Sequence, residues 1–279
     1  MHTFASETNA MKFLFTLLLS GSFAFGQQSD PNFLKGFEEL MNGKPEKSLK
    51  TFSKVLRKDP KNAKALMFTG SIKSLLGNDS EALIDLNRSI AIDPSIGETY
   101  HYRSLIKYGA NDFKGAIEDV SVAINLDPQN TGYIYNRAKF NYELGNYTRT
   151  IEDGEAILKL DQASSNPYIL FYMAQAYAEL NEFMPALNLA NEFILFDKSV
   201  TGYILRGDIH YKMGNYAIAA NDYEIYITDN DPNLNRGEAY MKIGTTYLKL
   251  RKTEKACDSF NSAKEFGIDI DQNLMKACN

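Results

Sequence analysis

The sequence repeats itself with a period of about 34 residues. Aspartates recur at this spacing, and four of them are followed directly by proline. They are Asp59, Asp93, Asp127, Asp161, Asp197 and Asp231, with Pro60, Pro94, Pro128 and Pro232. Because proline cannot continue a helix interior, each Asp-Pro indicates a helix end at a fixed phase. A period of this length predicts an array of equivalent units rather than a compact two-domain enzyme.

Each unit contains two stretches with apolar residues at helical spacing, separated by a turn. The turns are Asn42-Gly43, Gly77-Asn78-Asp79, Asn111-Asp112, Gly145-Asn146, Asn181-Glu182 and Gly214-Asn215. The first helix of each unit carries a small residue: Gly36, Gly70, Ser104, Ala138, Ala174, Gly207 and Gly244. The second helix begins near another: Ser48, Ala82, Ala116, Thr150, Ala186, Ala219 and Ala256. Small side chains at both places let two helices approach closely, so the sequence predicts a stack of helical hairpins.

This pattern resembles the tetratricopeptide repeat (TPR) family, whose helix–turn–helix repeats have small residues at positions 8 and 20 and proline at position 32. The resemblance implies an all-α fold, a right-handed α-solenoid of about seven hairpins. The predicted repeats are 29–62, 63–96, 97–130, 131–164, 167–199, 200–233 and 237–270. The family's large aromatic at position 4 is kept as Tyr100, Tyr203 and Tyr240 but not in the other four copies.

The two ends of the chain are expected to differ from the repeats. Residues 13–25 form an uncharged apolar run, which with Ala24 and Gly26 is typical of a signal peptide cleaved after Gly26. The run is shorter than the ~20 apolar residues of a membrane span, so we expect no stable span in the mature chain. An uncleaved anchor is the alternative reading, and Met11 is an alternative start to Met1. Residues 271–279 are expected to form a short C-terminal capping helix.

Cys257 and Cys278 are the only two cysteines. An exported chain meets an oxidising compartment, so we predict a disulfide that pins the cap to the last repeat. Closing a loop of about 20 residues would stabilise the fold by ~3 kcal/mol. The alternative is a pair of buried, reduced thiols.

Three repeats carry arginine at position 7, and an aspartate follows each one sixteen residues later. The pairs are Arg103 with Asp119, Arg137 with Asp153, and Arg206 with Asp222. A ladder of arginines could bind anions. However, a half-buried guanidinium needs a carboxylate, so we predict structural salt bridges between the two helices of a hairpin. Repeat 2 is an exception, because it keeps Asp85 without the arginine.

In TPR proteins the first helices line the concave face, with positions 2, 5, 9, 12 and 13 pointing into it. The resemblance therefore implies a groove lined by Phe33, Phe37, Met67, His101, Tyr108, Tyr135, Lys139, Tyr142, Tyr168, Phe171, Gln175, Asp208, Tyr211, Lys212, Met241 and Lys249. Aromatic residues are enriched at protein interfaces, so we expect a partner-binding groove in repeats 3–6. The alternative for any single ring is packing against a neighbouring helix. Two extra residues, Ser165-Asn166, predict a bend between repeats 4 and 5.

The composition excludes several function classes. A net charge of −5 argues against a nucleic-acid binder. The sequence has no glycine-rich phosphate loop and no ligand cluster at metal spacing, so we expect no cofactor, no metal and no catalytic residues. The expected function is a non-enzymatic scaffold, exported to a bacterial periplasm or cell surface, that binds a peptide segment or helix of an envelope partner. The alternatives are a structural subunit of an envelope or secretion complex, and a glycan or small-ligand binder.

Overall fold

The computed structural model describes residues 30–160, 167–197, 200–229, 231–276 and 278. Within these ranges the chain forms fifteen α-helices and no strand, which confirms the all-α fold class. The predicted signal peptide at 1–26 lies outside the described residues. So does Ser165-Asn166, on which the predicted bend between repeats 4 and 5 depends.

The helices follow one another as hairpins. They are α1 (Pro31–Met41), α2 (Pro45–Lys58), α3 (Ala63–Leu75), α4 (Asp79–Ile92), α5 (Gly97–Gly109), α6 (Phe113–Leu126), α7 (Thr131–Glu143), α8 (Tyr147–Leu160), α9 (Tyr168–Glu179), α10 (Phe183–Asp197), α11 (Thr201–Lys212), α12 (Tyr216–Thr228), α13 (Arg236–Lys249), α14 (Thr253–Glu265) and α15 (Gln272–Lys276). Each odd-numbered helix from α1 to α13 pairs with the helix that follows it. One such pair lies in each of the first six predicted repeat ranges; the seventh pair begins at Arg236, one residue before the predicted range 237–270, and α15 lies in the predicted cap.

The chain divides into two compact units between Tyr133 and Ile134. In the first unit α2 packs against α3, and α4 packs against α5. In the second unit the corresponding contacts join α8 to α9, α10 to α11 and α12 to α13. Within each unit, consecutive hairpins therefore bury apolar surface against one another, as in other stacked repeats.

The small residue of the first helix lies against a large, buried side chain of the second helix. A Cβ atom added to Gly70 would be 2.7 Å from Leu86 Cγ, and one added to Gly207 would be 2.6 Å from Tyr223 Cε1. Gly244 makes the same close approach to Phe260. Real Cβ atoms do not come this close, so the large side chain of the second helix uses the space that glycine leaves free.

The turn inside each hairpin contains one residue in the left-handed region of backbone space. These residues are Gly43, Gly77, Asn111, Gly145, Asn181, Gly214 and Arg251. Glycine and asparagine adopt this conformation readily, whereas Arg251, with φ of 58°, does so at a steric cost. The seventh turn was not recognised in the sequence because Arg251 replaces the expected glycine or asparagine.

The C-terminal cap is tied to the last repeat by packing and by a covalent bond. Leu274, Met275 and Cys278 pack against the core cluster that contains Ile243, Tyr247 and Phe260. Cys257 and Cys278 form the predicted disulfide, with their Cα atoms 5.6 Å apart. The end of the second unit is therefore closed by the short helix α15 and its cross-link.

We predict that Gly207→Ala lowers the free energy of unfolding by about 1–3 kcal/mol, because the new methyl group overpacks the contact with Tyr223. Urea denaturation followed by circular dichroism measures the change. Gly109→Ala is the matched control, since an added Cβ there meets no atom within 4 Å. Equal stability of the two variants would contradict this account of the close approach.

Candidate functional site

The three predicted arginine–aspartate pairs are present, and each joins the two helices of one hairpin. The arginine Nη2 to aspartate Oδ1 distances are 2.6 Å for Arg103–Asp119, 2.6 Å for Arg137–Asp153 and 2.7 Å for Arg206–Asp222. In all three pairs Nε donates a second hydrogen bond to the same carboxylate, which is buried. Two-point pairing with a buried carboxylate gives these guanidinium groups a structural role.

Two of these arginines also reach the preceding hairpin, a contact that the sixteen-residue spacing does not predict. Arg103 Nη1 donates to Asn87 Oδ1 at 2.6 Å, and Arg206 Nη1 donates to Asn191 Oδ1 at 2.8 Å. The ring centroid of Tyr100 lies 5.7 Å from the guanidinium carbon of Arg103, and that of Tyr203 lies 5.3 Å from the guanidinium carbon of Arg206. Each arginine thus connects three helices from two hairpins of the same unit.

Lysine explains the exception in repeat 2. Lys73 Nζ lies 2.8 Å from Asp85 Oδ2, and Lys107 Nζ lies at the same distance from Asp119 Oδ2. Both lysines are on the first helix, one turn after position 7. Asp85 therefore keeps a cationic partner although repeat 2 has no arginine at that position.

The structure corrects the predicted groove at two positions. Met67 and His101 are only 4% and 3% exposed, so the expectation that they line an accessible face is wrong. Met67 belongs to the core of the first unit. The His101 ring packs against the rings of Tyr102 and Tyr133, with centroid distances of 5.7 and 4.9 Å.

The other predicted aromatic residues of the first unit pack within their own hairpins or on the next one. The Phe33 ring makes edge contacts with Phe52 and Phe68 at 5.3 and 5.7 Å. The Phe37 ring contacts Phe68 at 5.8 Å, and the Tyr108 ring contacts a phenylalanine across the turn at 5.6 Å. These half-buried rings serve mainly to join helices.

In the second unit, three tyrosines from two hairpins meet. Tyr172 on α9 lies with its ring centroid 6.0 Å from that of Tyr135 and 5.7 Å from that of Tyr142, both on α7. All three side chains are partly exposed. Lys139 lies between Tyr135 and Tyr142 in the sequence and on the same face of α7, by its helical spacing. We call Tyr135, Lys139, Tyr142 and Tyr172 the tyrosine face.

The aromatic contacts continue along α9. The rings of Tyr168 and Phe171 each lie 5.5 Å from the ring of Phe193, and the ring of Phe171 lies 5.8 Å from that of Tyr172. Tyr168 is 42% exposed, and Gln175, one turn after Phe171, is partly exposed. This part of the predicted groove is therefore both packed and accessible.

Paired charges connect the first helices beyond α9. Lys212 Nζ on α11 lies 2.7 Å from Glu179 Oε2 on α9. Asp208 on α11 accepts hydrogen bonds from Lys242 Nζ on α13 at 2.5 Å and from the Tyr223 hydroxyl at 2.8 Å. The other predicted residues of these helices pack or are exposed. Tyr211 contacts Tyr216 at 5.3 Å, Met241 packs against the C-terminal cluster, and Lys249 is exposed.

Tyr142 in the tyrosine face keeps its hydroxyl group protonated. Burial, followed by the charges of Glu179, Glu143 and Asp208 among others, raises the pKa of Tyr142 to about 12. Burial also lowers the pKa of Lys139, while the carboxylate of Glu143 raises it. The face therefore offers neutral phenol groups, ring faces and one partly desolvated amine.

The described part of the chain has neither a group of side chains suited to a metal ion nor a helix suited to span a membrane. Among these residues, no group of three or more His, Cys, Asp or Glu side chains could hold a metal ion. None of the described helices is long and apolar enough to cross a bilayer. The chemistry available on the tyrosine face is hydrogen bonding, stacking and apolar contact.

Two segments, residues 35–95 and 204–270, match the tetratricopeptide repeat family model. With the seven hairpins, this match decides the classification. The chain is a tetratricopeptide repeat protein. TPR proteins are in general non-enzymatic scaffolds that bind other proteins. No curated protein sequence matches the chain significantly.

Solved structures share this fold at low sequence identity. A TPR protein from Parabacteroides merdae superimposes with a TM-score of 0.67 at 20% identity, covering 88% of this chain and 96% of its own. The C-terminal part of a TPR protein from Cytophaga hutchinsonii gives 0.66 at 16%, with coverages of 88% and 99%. PilW, a type IV pilus biogenesis factor, gives 0.63 at 15%, with coverages of 77% and 96%. At these identities the likeness concerns the fold alone.

We predict that acid destabilises the first unit through His101. Burial lowers the pKa of His101 from 6.5 to about 4, so the unfolded chain binds the proton more readily than the folded one. The stability is therefore complete above about pH 6.5 and is lost as the pH falls towards 4, by up to about 3 kcal/mol. Urea denaturation at several pH values measures this loss. His101→Gln is expected to show a shallower pH dependence, and an unchanged profile would contradict the prediction.

Proposed function

We propose that this TPR protein is a non-enzymatic, exported scaffold that binds a peptide segment or a helix of a cell-envelope protein on the tyrosine face. The observation that carries the proposal is the meeting of Tyr135, Tyr142 and Tyr172. Their rings come from two neighbouring hairpins, contact one another and remain partly exposed. Packing between helices alone does not require so many partly exposed rings.

Tyrosine suits this role because it brings a large contact area at low entropic cost. Its ring packs against apolar side chains, and its hydroxyl group exchanges hydrogen bonds with a peptide backbone. The neighbouring charges are already paired, as in Lys212–Glu179 and Lys242–Asp208. Ring contacts and hydrogen bonds would therefore dominate the affinity, with a smaller contribution from net charge.

Two features of this chain support export, and the function of one protein of similar fold agrees with it. Residues 13–25 have the composition of a signal-peptide apolar region. The Cys257–Cys278 disulfide is typical of an oxidising compartment. PilW, which has a similar fold, takes part in type IV pilus biogenesis. We propose a bacterial periplasm or cell surface as the location.

A second candidate function is a structural subunit of an envelope or secretion complex. It is favoured by exposed apolar side chains on α10, the second helix of its hairpin. The exposed fractions are 66% for Met184, 76% for Leu195 and 55% for Phe196. Isolated exposed apolar residues are common, but three on one helix are suited to an assembly contact.

The two candidates predict opposite results in one experiment. The mature chain recovers its partner from an envelope extract of the native host. Calorimetry then compares the wild type with Tyr135→Ser/Tyr142→Ser and with Met184→Ser/Leu195→Ser. If the tyrosine face binds the partner, the tyrosine variant loses more than about tenfold in affinity and the α10 variant loses none.

Controls make the result specific. Tyr142→Phe keeps the ring and is expected to retain most of the affinity, and circular dichroism verifies that each variant is folded. Loss of affinity only in the α10 variant would support the structural subunit. If the wild type binds oligosaccharides on a glycan array and the tyrosine variant loses only that binding, the third function, glycan binding, would be supported. Partner binding that survives both double substitutions would contradict the proposal.

A further inference from the structure

Two hairpins of the first unit place a lysine twelve residues before the buried aspartate of the second helix. Lys73 and Lys107 are these lysines, and their Nζ atoms lie 2.8 Å from Asp85 and Asp119. An ordinary lysine side chain, unlike histidine, does not change its charge between pH 5 and 8.

Repeat 6 has a histidine at the same position. His210 on α11 precedes Asp222 on α12 by the same twelve residues. Its Nδ1 atom is buried and has no hydrogen-bond partner among the described residues. Asp222 is fully buried, and its two oxygens accept hydrogen bonds from Arg206 Nε and Nη2 at 2.9 and 2.7 Å.

The charged groups around His210 are few. The helices α9, α10 and α12 pack against α11. Among the described residues, Asp222 on α12 raises the pKa of His210 and Arg206 on α11 itself lowers it. The other charges that reach α11 are paired: Glu179 of α9 with Lys212, and Lys242 of α13 with Asp208. Burial is the largest influence and leaves the pKa of His210 below its ordinary value of 6.5.

We infer that His210 is an acid-sensitive position that makes the packing of α11 on α12 weaker when its ring is protonated. A neutral ring leaves only a lone pair unsatisfied at Nδ1. A proton taken from solvent turns Nδ1 into a buried, charged donor without an acceptor, close to the guanidinium of Arg206. The imidazole as a whole is only partly buried, but a buried donor that carries part of a charge and has no acceptor is more costly than a buried lone pair.

The direction of the effect follows from linkage. His210 binds the proton more readily when the hairpin is open than when it is closed. The protection of α11 against hydrogen exchange is therefore complete above about pH 6.5, and it falls as the pH drops through the lower pKa of the folded state. This inference does not depend on the proposed function. The acid sensitivity of α11 nevertheless concerns the proposed function, because α11 also carries Asp208 and Tyr211, two residues of the predicted groove.

Hydrogen exchange of the full chain tests the inference. Exchange in peptides that cover α11 is measured at pH 7.5, 6.5 and 5.5 and corrected for intrinsic rates. The wild type is expected to lose protection there severalfold on acidification. His210→Gln cannot take up the proton and is expected to show no such loss. The wild type and His210→Gln are compared in the same peptides of α11. Both proteins contain His101, so its titration affects them equally.

A third variant and a direct titration sharpen the test. His210→Lys is expected to remain protected at all three pH values, since lysine in this position pairs with the aspartate in repeats 2 and 3. Nuclear magnetic resonance of the wild-type imidazole is expected to give a pKa for His210 below 6.5. A pKa of 6.5 or higher, unchanged protection in the wild type, or an equal loss in His210→Gln would each overturn the inference.

Discussion

The close approach of the two helices in each hairpin is the constraint on which the rest of the structure depends. Gly207 lies against Tyr223, and the adjacent residues Arg206 and Asp222 form the ion pair. The glycine contact sets the distance between the helix axes, and this distance brings the guanidinium within reach of the carboxylate. A larger residue in place of the glycine would therefore disturb both the apolar and the ionic contact.

On this frame, the repeats that carry a buried aspartate on the second helix (Asp85, Asp119, Asp153 and Asp222) differ in how they neutralise it. Repeat 2 uses Lys73, repeat 3 uses Arg103 together with Lys107, and repeat 6 uses Arg206 beside a histidine. A buried carboxylate without a cation is strongly destabilising, so each repeat that carries this aspartate must supply one. The choice of cation leaves the fold unchanged but alters how each hairpin responds to pH.

The sequence predicted those features that depend on spacing within one hairpin or at the chain end. Arg103 and Asp119 are sixteen residues apart, and the hairpin geometry brings such positions together whatever the rest of the chain does. The groove was predicted less well, because neighbouring side chains decide which first-helix positions remain accessible. His101 was expected to be exposed, but Tyr102 and Tyr133 cover it. Tyr172 was missed because its position in the repeat is not among the family's inward-pointing ones.

In the proposed function the rings of the tyrosine face would both contact the partner and join two hairpins. Tyr172 packs against Tyr135 and Tyr142, so the same rings that would contact a partner also join α7 to α9. A partner that binds these rings touches two hairpins at once, and its binding free energy then adds to the packing between them. Occupancy of the face is therefore coupled to the stability of the second unit. This coupling distinguishes a partner on the first helices from one on α10, whose exposed residues Met184 and Leu195 belong to a single helix.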